Sequence, residues 1–267
     1  MGVRLNTQPQ ALNLTNNLGK TMSKVNASLT QLASGRRINR AADDASGMAV
    51  ADRFATMVAQ SNQEIQNLQQ GINYAQTADG ALGSQADMGM RLRELALQAS
   101  NGTLTQDQRN ALNNEAQQIL QQIDETANST EYNGQNLLKQ NTSVDLGVQG
   151  GMQVATQAST TTSLGLNGLD LTSQNGAQSA VDTIDAALKG ISNNRSSLGA
   201  QQNRLTSAIQ EREVRVENAS AAESAIRDAD YANAFMNNTR NTMLSNANMA
   251  MLVQSNLVPQ QALSLLG

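Results

Sequence analysis

Near the start of the chain Leu18, Met22, Val25, Leu29 and Leu32 recur at alternating intervals of four and three residues. The same spacing returns in the second half at Val181, Ile184, Leu188 and Ile191, and its phase continues through Leu198, Leu205 and Ile209. A 3-4 repeat places apolar side chains on one narrow stripe of a helix, and such a stripe is stable only against another helix. Between about 140 and 176 the repeat fails and Gly, Ser and Thr accumulate. The pattern predicts a mainly α fold: an elongated antiparallel helical coiled-coil bundle that runs out, turns over in a small β-hairpin tip and runs back. Long terminal helices with paired stripes are what a polymerising protein needs.

Local signals set the element boundaries. The first helix is predicted from about Thr7 to Ala33, stopped by Ser34-Gly35, with Arg36–Arg40 as a connection. Asp43, Asp44 and Ser46 stand at the start of a second helix, about 44–100, where carboxylates cap free N–H groups and favour the positive helix end. Ile65, Leu68, Ile72, Ala75, Leu92 and Leu95 carry its stripe, and Asn101-Gly102 ends it. Thr105–Gln108 is a capping segment for a third helix, about 105–128, which the short loop turns antiparallel to the second. Asn133-Gly134 is a turn. Val144, Leu146 and Val148 alternate before Gln149-Gly150-Gly151, and Met152 and Val154 alternate after it, predicting a β-hairpin near 142–156. Thr156–Ser163 is a polar run expected at the exposed tip. A helix of about 176–226 follows, broken at Asp228-Ala229-Asp230, and a last helix spans about 232–264.

Composition narrows the function. Only 15% of the 267 residues are charged and 2% aromatic, with no Trp. Asn, Gln, Ser and Ala fill the difference; they can be buried between subunits at less cost than Lys or Glu. A thin bundle of Leu, Ile, Val, Met and Ala needs few aromatics, and the 11 Met are expected as adaptable core fillers. A net charge of -4 with no basic patch argues against nucleic acid. No Cys and no His remove disulfides, thiolate and imidazole metal sites and the commonest general base. No phosphate-binding glycine loop or nucleophile motif occurs, so the chain reads as no enzyme with no cofactor. No signal peptide or 18-residue apolar span is visible, which excludes membrane insertion and reads as cytoplasmic, or as export without a cleaved signal.

Longer motifs then resemble a family. Leu32-Ala33-Ser34-Gly35-Arg36-Arg37-Ile38-Asn39, then Ala42-Asp43-Asp44-Ala45-Ser46-Gly47-Met48-Ala49, and Arg91–Gln98 resemble the N-terminal region of bacterial flagellins. Asn203-Arg204-Leu205, Ile226–Ala232 and Val258–Leu266 resemble their C-terminal region. The resemblance covers roughly 1–140 and 176–267. The middle is short, so the chain looks like a minimal flagellin without separate outer domains. Arg37 departs from the Leu that many relatives carry, which leaves the packing of the connector open.

The resemblance implies a secreted, extracellular structural subunit of the bacterial flagellar filament, the helical propeller of swimming motility. Segments 1–40 and 230–267 would pair as the filament's inner core, and 44–226 would form a rod of long helices. Leu18, Met22, Val25, Leu29, Leu32, Met243, Leu252 and Leu257 would pack between subunits. Arg36, Arg37, Arg40, Asp43 and Asp44 would fix the register between core and rod. Expected partners are copies of itself, an export chaperone covering the apolar face of the last helix, the flagellar type III export apparatus, and hook-associated junction and cap proteins. In flagellins that the vertebrate Toll-like receptor for flagellin recognises, residues matching Arg91, Leu95 and Glu115 are receptor contacts, so the resemblance implies that receptor as a further partner. Two other readings stand beside this one: a hook–filament junction protein, and a soluble coiled-coil adaptor whose terminal stripes form an intramolecular core.

Overall fold

The structure, a computed structural model, describes residues 9–264, with side-chain surroundings up to 257. The elements are α1 (Pro9–Ser34), α2 (Ala45–Ala99), α3 (Gln106–Ser129), β1 (Glu131–Tyr132), β2 (Gln135–Asn136), β3 (Thr142–Asp145), β4 (Gln153–Thr156), α4 (Gln174–Arg227) and α5 (Tyr231–Ser264). The expected helix start at Thr7 and the last residues of the Val258–Leu266 motif lie outside the described residues. The mainly α expectation holds, and α1 to α4 stop where their punctuation predicts.

Those stops have local causes. α1 is described from Pro9 onward. Gly35 closes it at φ +69, and its N–H donates to the Gln31 carbonyl at 2.9 Å. Asp44 caps α2 by accepting from the Gly47 N–H and the Ser46 hydroxyl, each at 2.9 Å. Thr105 and Gln108 form a reciprocal capping box at the start of α3. Asp230 caps α5, accepting from the N–H groups of Ala232 and Asn233 at 2.9 and 3.1 Å.

The chain divides into two compact units, Met1–Val58 with Glu217–Gly267, and Ala59–Val216. The division falls inside α2 and α4, not at the connectors beside residues 40–44 and 226–230.

Within the Ala59–Val216 unit, α2 and α4 run antiparallel. Three carboxylate–arginine rungs tie them: Glu64–Arg212 at 2.5 Å, Asp79–Arg195 at 2.8 Å and Arg93–Asp185 at 2.6 Å. Their stripes meet α3 and the β segments in two apolar clusters, one around Leu68, Leu82, Leu138 and Leu198, the other around Leu92, Leu95, Ile123 and Ile184. Fully burying each such side chain is worth about 1.5–3 kcal/mol, against about 0–1 for an exposed ion pair. Apolar packing therefore holds the unit and the two exposed rungs contribute little. Every residue of the Val181–Ile209 stripe is buried or half-buried.

The predicted hairpin is present as β3 and β4, paired antiparallel with Val144 opposite Val154. A second, two-residue hairpin, β1–β2, was legible only as the Asn133-Gly134 turn; Asn133 and Gly134 adopt φ 52 and 76. Tyr132 stands edge-on to Tyr74 of α2 at 5.9 Å. At Gly71 the backbone of α2 passes so close to Leu146 that a Cβ would lie 2.6 Å from its Cδ1.

The Ser/Thr run is corrected. Thr156, Ser159 and Thr161 are buried. Gln85 of α2 donates to the carbonyls of Ile123 and Ser159 and accepts from the Ser159 hydroxyl. Asp124 accepts from the Thr161 N–H at 2.8 Å and from its hydroxyl at 2.6 Å. The run is a polar strap satisfied from two helices, and it leads Leu166, Leu169 and Leu171 into the second cluster. Of its hydroxyls, those of Thr162 and Ser163 belong to exposed residues.

Candidate functional site

In the other unit, α1 and α5 pack antiparallel. Tyr231 at the start of α5 donates its hydroxyl to the Leu32 carbonyl at 3.0 Å, and Asn248 reaches Thr21 at 3.5 Å. The face that α5 turns to its partner carries Ala234, Asn238, Asn241, Ser245, Asn248 and Leu252, all buried or half-buried. On α1 the covered positions are Leu14, Leu18, Thr21, Val25, Ser28 and Leu32. The seam is thus largely polar or small, and Ser28 and Ser245 are its buried residues beside Ala234.

The large apolar side chains face the other way. Phe235, Met236, Met243, Met251 and Val253 of α5 are 56–66% exposed, with Leu244, Met249 and Leu257 at 40–49%. Leu12, Met22 and Leu29 of α1 are 48–65% exposed. Leu18, Val25, Leu32 and Leu252 therefore belong to the intrachain seam, while Met22, Leu29, Met243 and Leu257 lie outside it. The filler expectation for methionine is corrected as well: of the ten methionines described, none is fully buried and seven are exposed.

The connector works through the backbone. Arg36 and Asp228 form an isolated antiparallel bridge, and the Ala229 N–H donates to the Gly35 carbonyl at 2.9 Å. The Arg37 N–H donates to the Arg227 carbonyl at 2.7 Å and its guanidinium to the Ile226 carbonyl at 2.6 Å. A leucine at position 37 could not make that last bond. The Asp43 carboxylate accepts from the Arg40 and Asn39 N–H groups, which holds its pKa below the usual value. Asp44 is lowered by the Gly47 N–H and the Ser46 hydroxyl. Among the described residues no direct ion pair joins Arg36, Arg37 or Arg40 to Asp43 or Asp44.

Arg91, Leu95 and Glu115 separate on inspection. Arg91 donates to Glu115 of α3 at 2.8 Å and to Glu94 at 3.1 Å, all three being exposed. Leu95 is 1% exposed and belongs to the second apolar cluster. Four residues along a helix leave side chains about 40° apart, and here that angle spans the boundary between surface and core.

Sequence reasoning passed over the Glu64–Arg212 rung. Both side chains are buried, at 6% and 7% exposure. Gln60 and the Gln149 N–H also donate to Glu64, and Arg212 donates to the Gln149 carbonyl at 2.9 Å. Burial raises the Glu64 pKa, but the hydrogen bonds from Gln60, Arg212 and Gln149 outweigh it and the net shift is downward. The signal was present: Arg212 falls one heptad after Leu205 and two after Leu198, a charge at a core position.

No helix among the described residues is long and apolar enough to cross a membrane, and no cluster of acidic side chains there could hold a metal ion. A helix pair that shows its large apolar side chains outward defines a protein built to associate. The chain matches the bacterial flagellin N-terminal helical region over residues 5–143 and the bacterial flagellin C-terminal helical region over 181–266. It is 39% identical to a flagellin of Halalkalibacterium halodurans, over 98% of this chain and 99% of that one. It is 34% identical to a flagellin of Bacillus subtilis, over 99% of this chain and 100% of that one. The crystal structure of a Bacillus cereus flagellin, 29% identical, aligns with a TM-score of 0.49 over 55% of this chain and 88% of that one. The chain belongs to the bacterial flagellin family, structural proteins of the flagellar filament and motility that polymerise with copies of themselves and are not enzymes.

Proposed function

We propose that this chain builds an extracellular swimming filament by burying the outward faces of α1 and α5 against copies of itself. The observation that carries the reading is the inverted polarity of the terminal pair: Ser28, Ser245 and Asn248 lie inside, while Met243, Phe235 and Leu29 lie outside. An isolated helix pair would be written the other way round, since apolar burial is the main source of its stability. A repeated heterologous contact that does not close gives an open helical polymer. Met22, Leu29, Met243 and Leu257 then face neighbouring subunits, and Leu18, Val25, Leu32 and Leu252 hold the pair together. Arg36, Arg37, Arg40, Asp43 and Asp44 fix the connector through its backbone bonds and so set the register between core and rod, the latter comprising about 44–226 with its hairpin.

The same reading requires the apolar face of α5 to be covered before assembly. An export chaperone fits that need, followed by the flagellar type III export apparatus and hook-associated junction and cap proteins at the filament ends. The Arg91–Glu115 pair supplies an exposed charged surface on which the vertebrate Toll-like receptor for flagellin would dock. Leu95, being buried, would support that surface from below. Reporter cells carrying the receptor should respond to purified monomer and lose the response with Arg91→Ala; silence toward the unaltered monomer removes the receptor from the proposal.

Electron microscopy of purified protein before and after seeding with sheared filaments tests the main reading. Long tubes that grow only after seeding support it. Persistent monomers whose termini resist protease overturn it in favour of an intramolecular core.

A further inference from the structure

We propose that Met236, Met243 and Met251 form an oxidation-sensitive site that controls whether the unassembled chain can join the polymer. The inference rests on the assembly reading above. These thioethers are 56%, 66% and 59% exposed and sit on the side of α5 turned away from α1. Their spacing of seven and eight residues keeps them on one face, about two helical turns apart. Met236 and Met243 line the same shallow groove as Phe235 and Leu244. Leucine or isoleucine would give this face equal apolar area with stiffer side chains and no reactive atom; methionine adds a soft, exposed sulfur.

The chemistry requires a two-electron oxidant of the hydroperoxide class. A sulfur lone pair attacks one oxygen of hydrogen peroxide, the O–O bond breaks, a sulfur–oxygen bond forms and the second oxygen leaves as water after proton transfer. The product is the sulfoxide, polar and chiral where the side chain had been apolar. Three sulfoxides on this face would each carry a polar group into an apolar contact. None of the three methionines belongs to the α1–α5 seam, so their oxidation should leave the helix content of the monomer as it was. Reaction is confined to the free chain, because assembly buries these sulfurs. Enzymatic sulfoxide reduction reverses the change.

The test exposes purified monomer to graded hydrogen peroxide, maps sulfoxides by peptide mass spectrometry and measures growth on seeds. Met236, Met243 and Met251 should oxidise ahead of the half-buried Met48, Met88 and Met152. Circular dichroism should be unchanged, and the monomer concentration needed for growth should rise about tenfold or more, since each tenfold step corresponds to about 1.4 kcal/mol. Measured against its own untreated growth, the triple variant M236L/M243L/M251L should be inhibited markedly less by peroxide than the unaltered chain, although Met22, Met57, Met90 and Met249 still react. Treatment with methionine sulfoxide reductases should restore growth of the unaltered chain. Normal growth of monomer carrying all three sulfoxides overturns the proposal, as does a triple leucine variant that peroxide inhibits equally. Failure of untreated protein to grow on seeds overturns the assembly reading itself, and this inference with it.

Discussion

Arg212 holds the place on α4 that Leu198 and Leu205 lead one to expect for an aliphatic side chain, and Glu64 meets it from α2 at 2.5 Å. Desolvating two charges costs several kcal/mol per ion, and only a well-formed pair with further hydrogen bonds offsets that. Gln60, the Gln149 N–H and the Gln149 carbonyl supply those bonds. Arg212→Met leaves Glu64 buried and alone, so it should destabilise the protein by about 3–5 kcal/mol in urea unfolding. Adding Glu64→Leu should recover most of the loss; if the double variant is as unstable as the single, the cost comes from packing and not from charge. Leu95 gives a second case at this scale. Sequence spacing placed it beside Arg91, but a 40° step decides between solvent and core, and only the position of α3 fixes which side of the step is covered.

At the scale of the element, the helix ends were legible because Gly35, Asp44, Thr105 and Asp230 act on backbone groups within a few residues. Thr105→Ala should cost about 1 kcal/mol by removing one half of the capping box; thermal melting of the variant against the parent measures it. The Ser/Thr strap was not legible. Its burial depends on Gln85 and Asp124, 74 and 37 residues away from Ser159 and Thr161. Without those partners, a run of hydroxyls reads as a surface loop. Short β1–β2 was missed for a related reason, since two-residue strands leave no alternation to detect. Lowered carboxyl groups at Asp43, Asp44, Glu64, Asp170 and Asp230 tie these elements to pH. Each binds fewer protons folded than unfolded, so its contribution is complete above the ordinary carboxyl range of about 4 to 5 and is lost as pH falls through and below it. With no histidine, stability should be nearly flat between about pH 6 and 8. Chemical denaturation across pH 2–8 checks both parts, and a transition near pH 6.5 would contradict the second.

For the whole molecule, the 3-4 repeat identified the helices that pair but not the sides they present. Leu18, Val25 and Leu32 hold the intrachain seam, whereas Met22 and Leu29, from the same repeat, stand outside it. A stripe one residue wider than a coiled-coil seam has two usable faces, and its own chain covers only one. Leu244→Asp, at a position 49% exposed, should leave helix content unchanged and abolish growth on seeds. Circular dichroism and turbidity distinguish that outcome from misfolding. Limited proteolysis should trim the unassembled chain to a core of about 44–226 and spare the polymer, because burying the outward faces removes the local openings that proteases require.

A seam in which serine, threonine and asparagine interrupt a few half-buried aliphatic side chains has one more consequence. A lone copy gains little from closing α1 onto α5, and most of the free energy that orders the pair arrives with neighbours. Ordering and growth are then a single equilibrium with a critical concentration. A copy at the end of the polymer has fewer neighbours than one along its length, so its helix pair is the least stable in the structure. Heat or dilution should therefore take the polymer apart from its tips, copy by copy, before any break opens along its length.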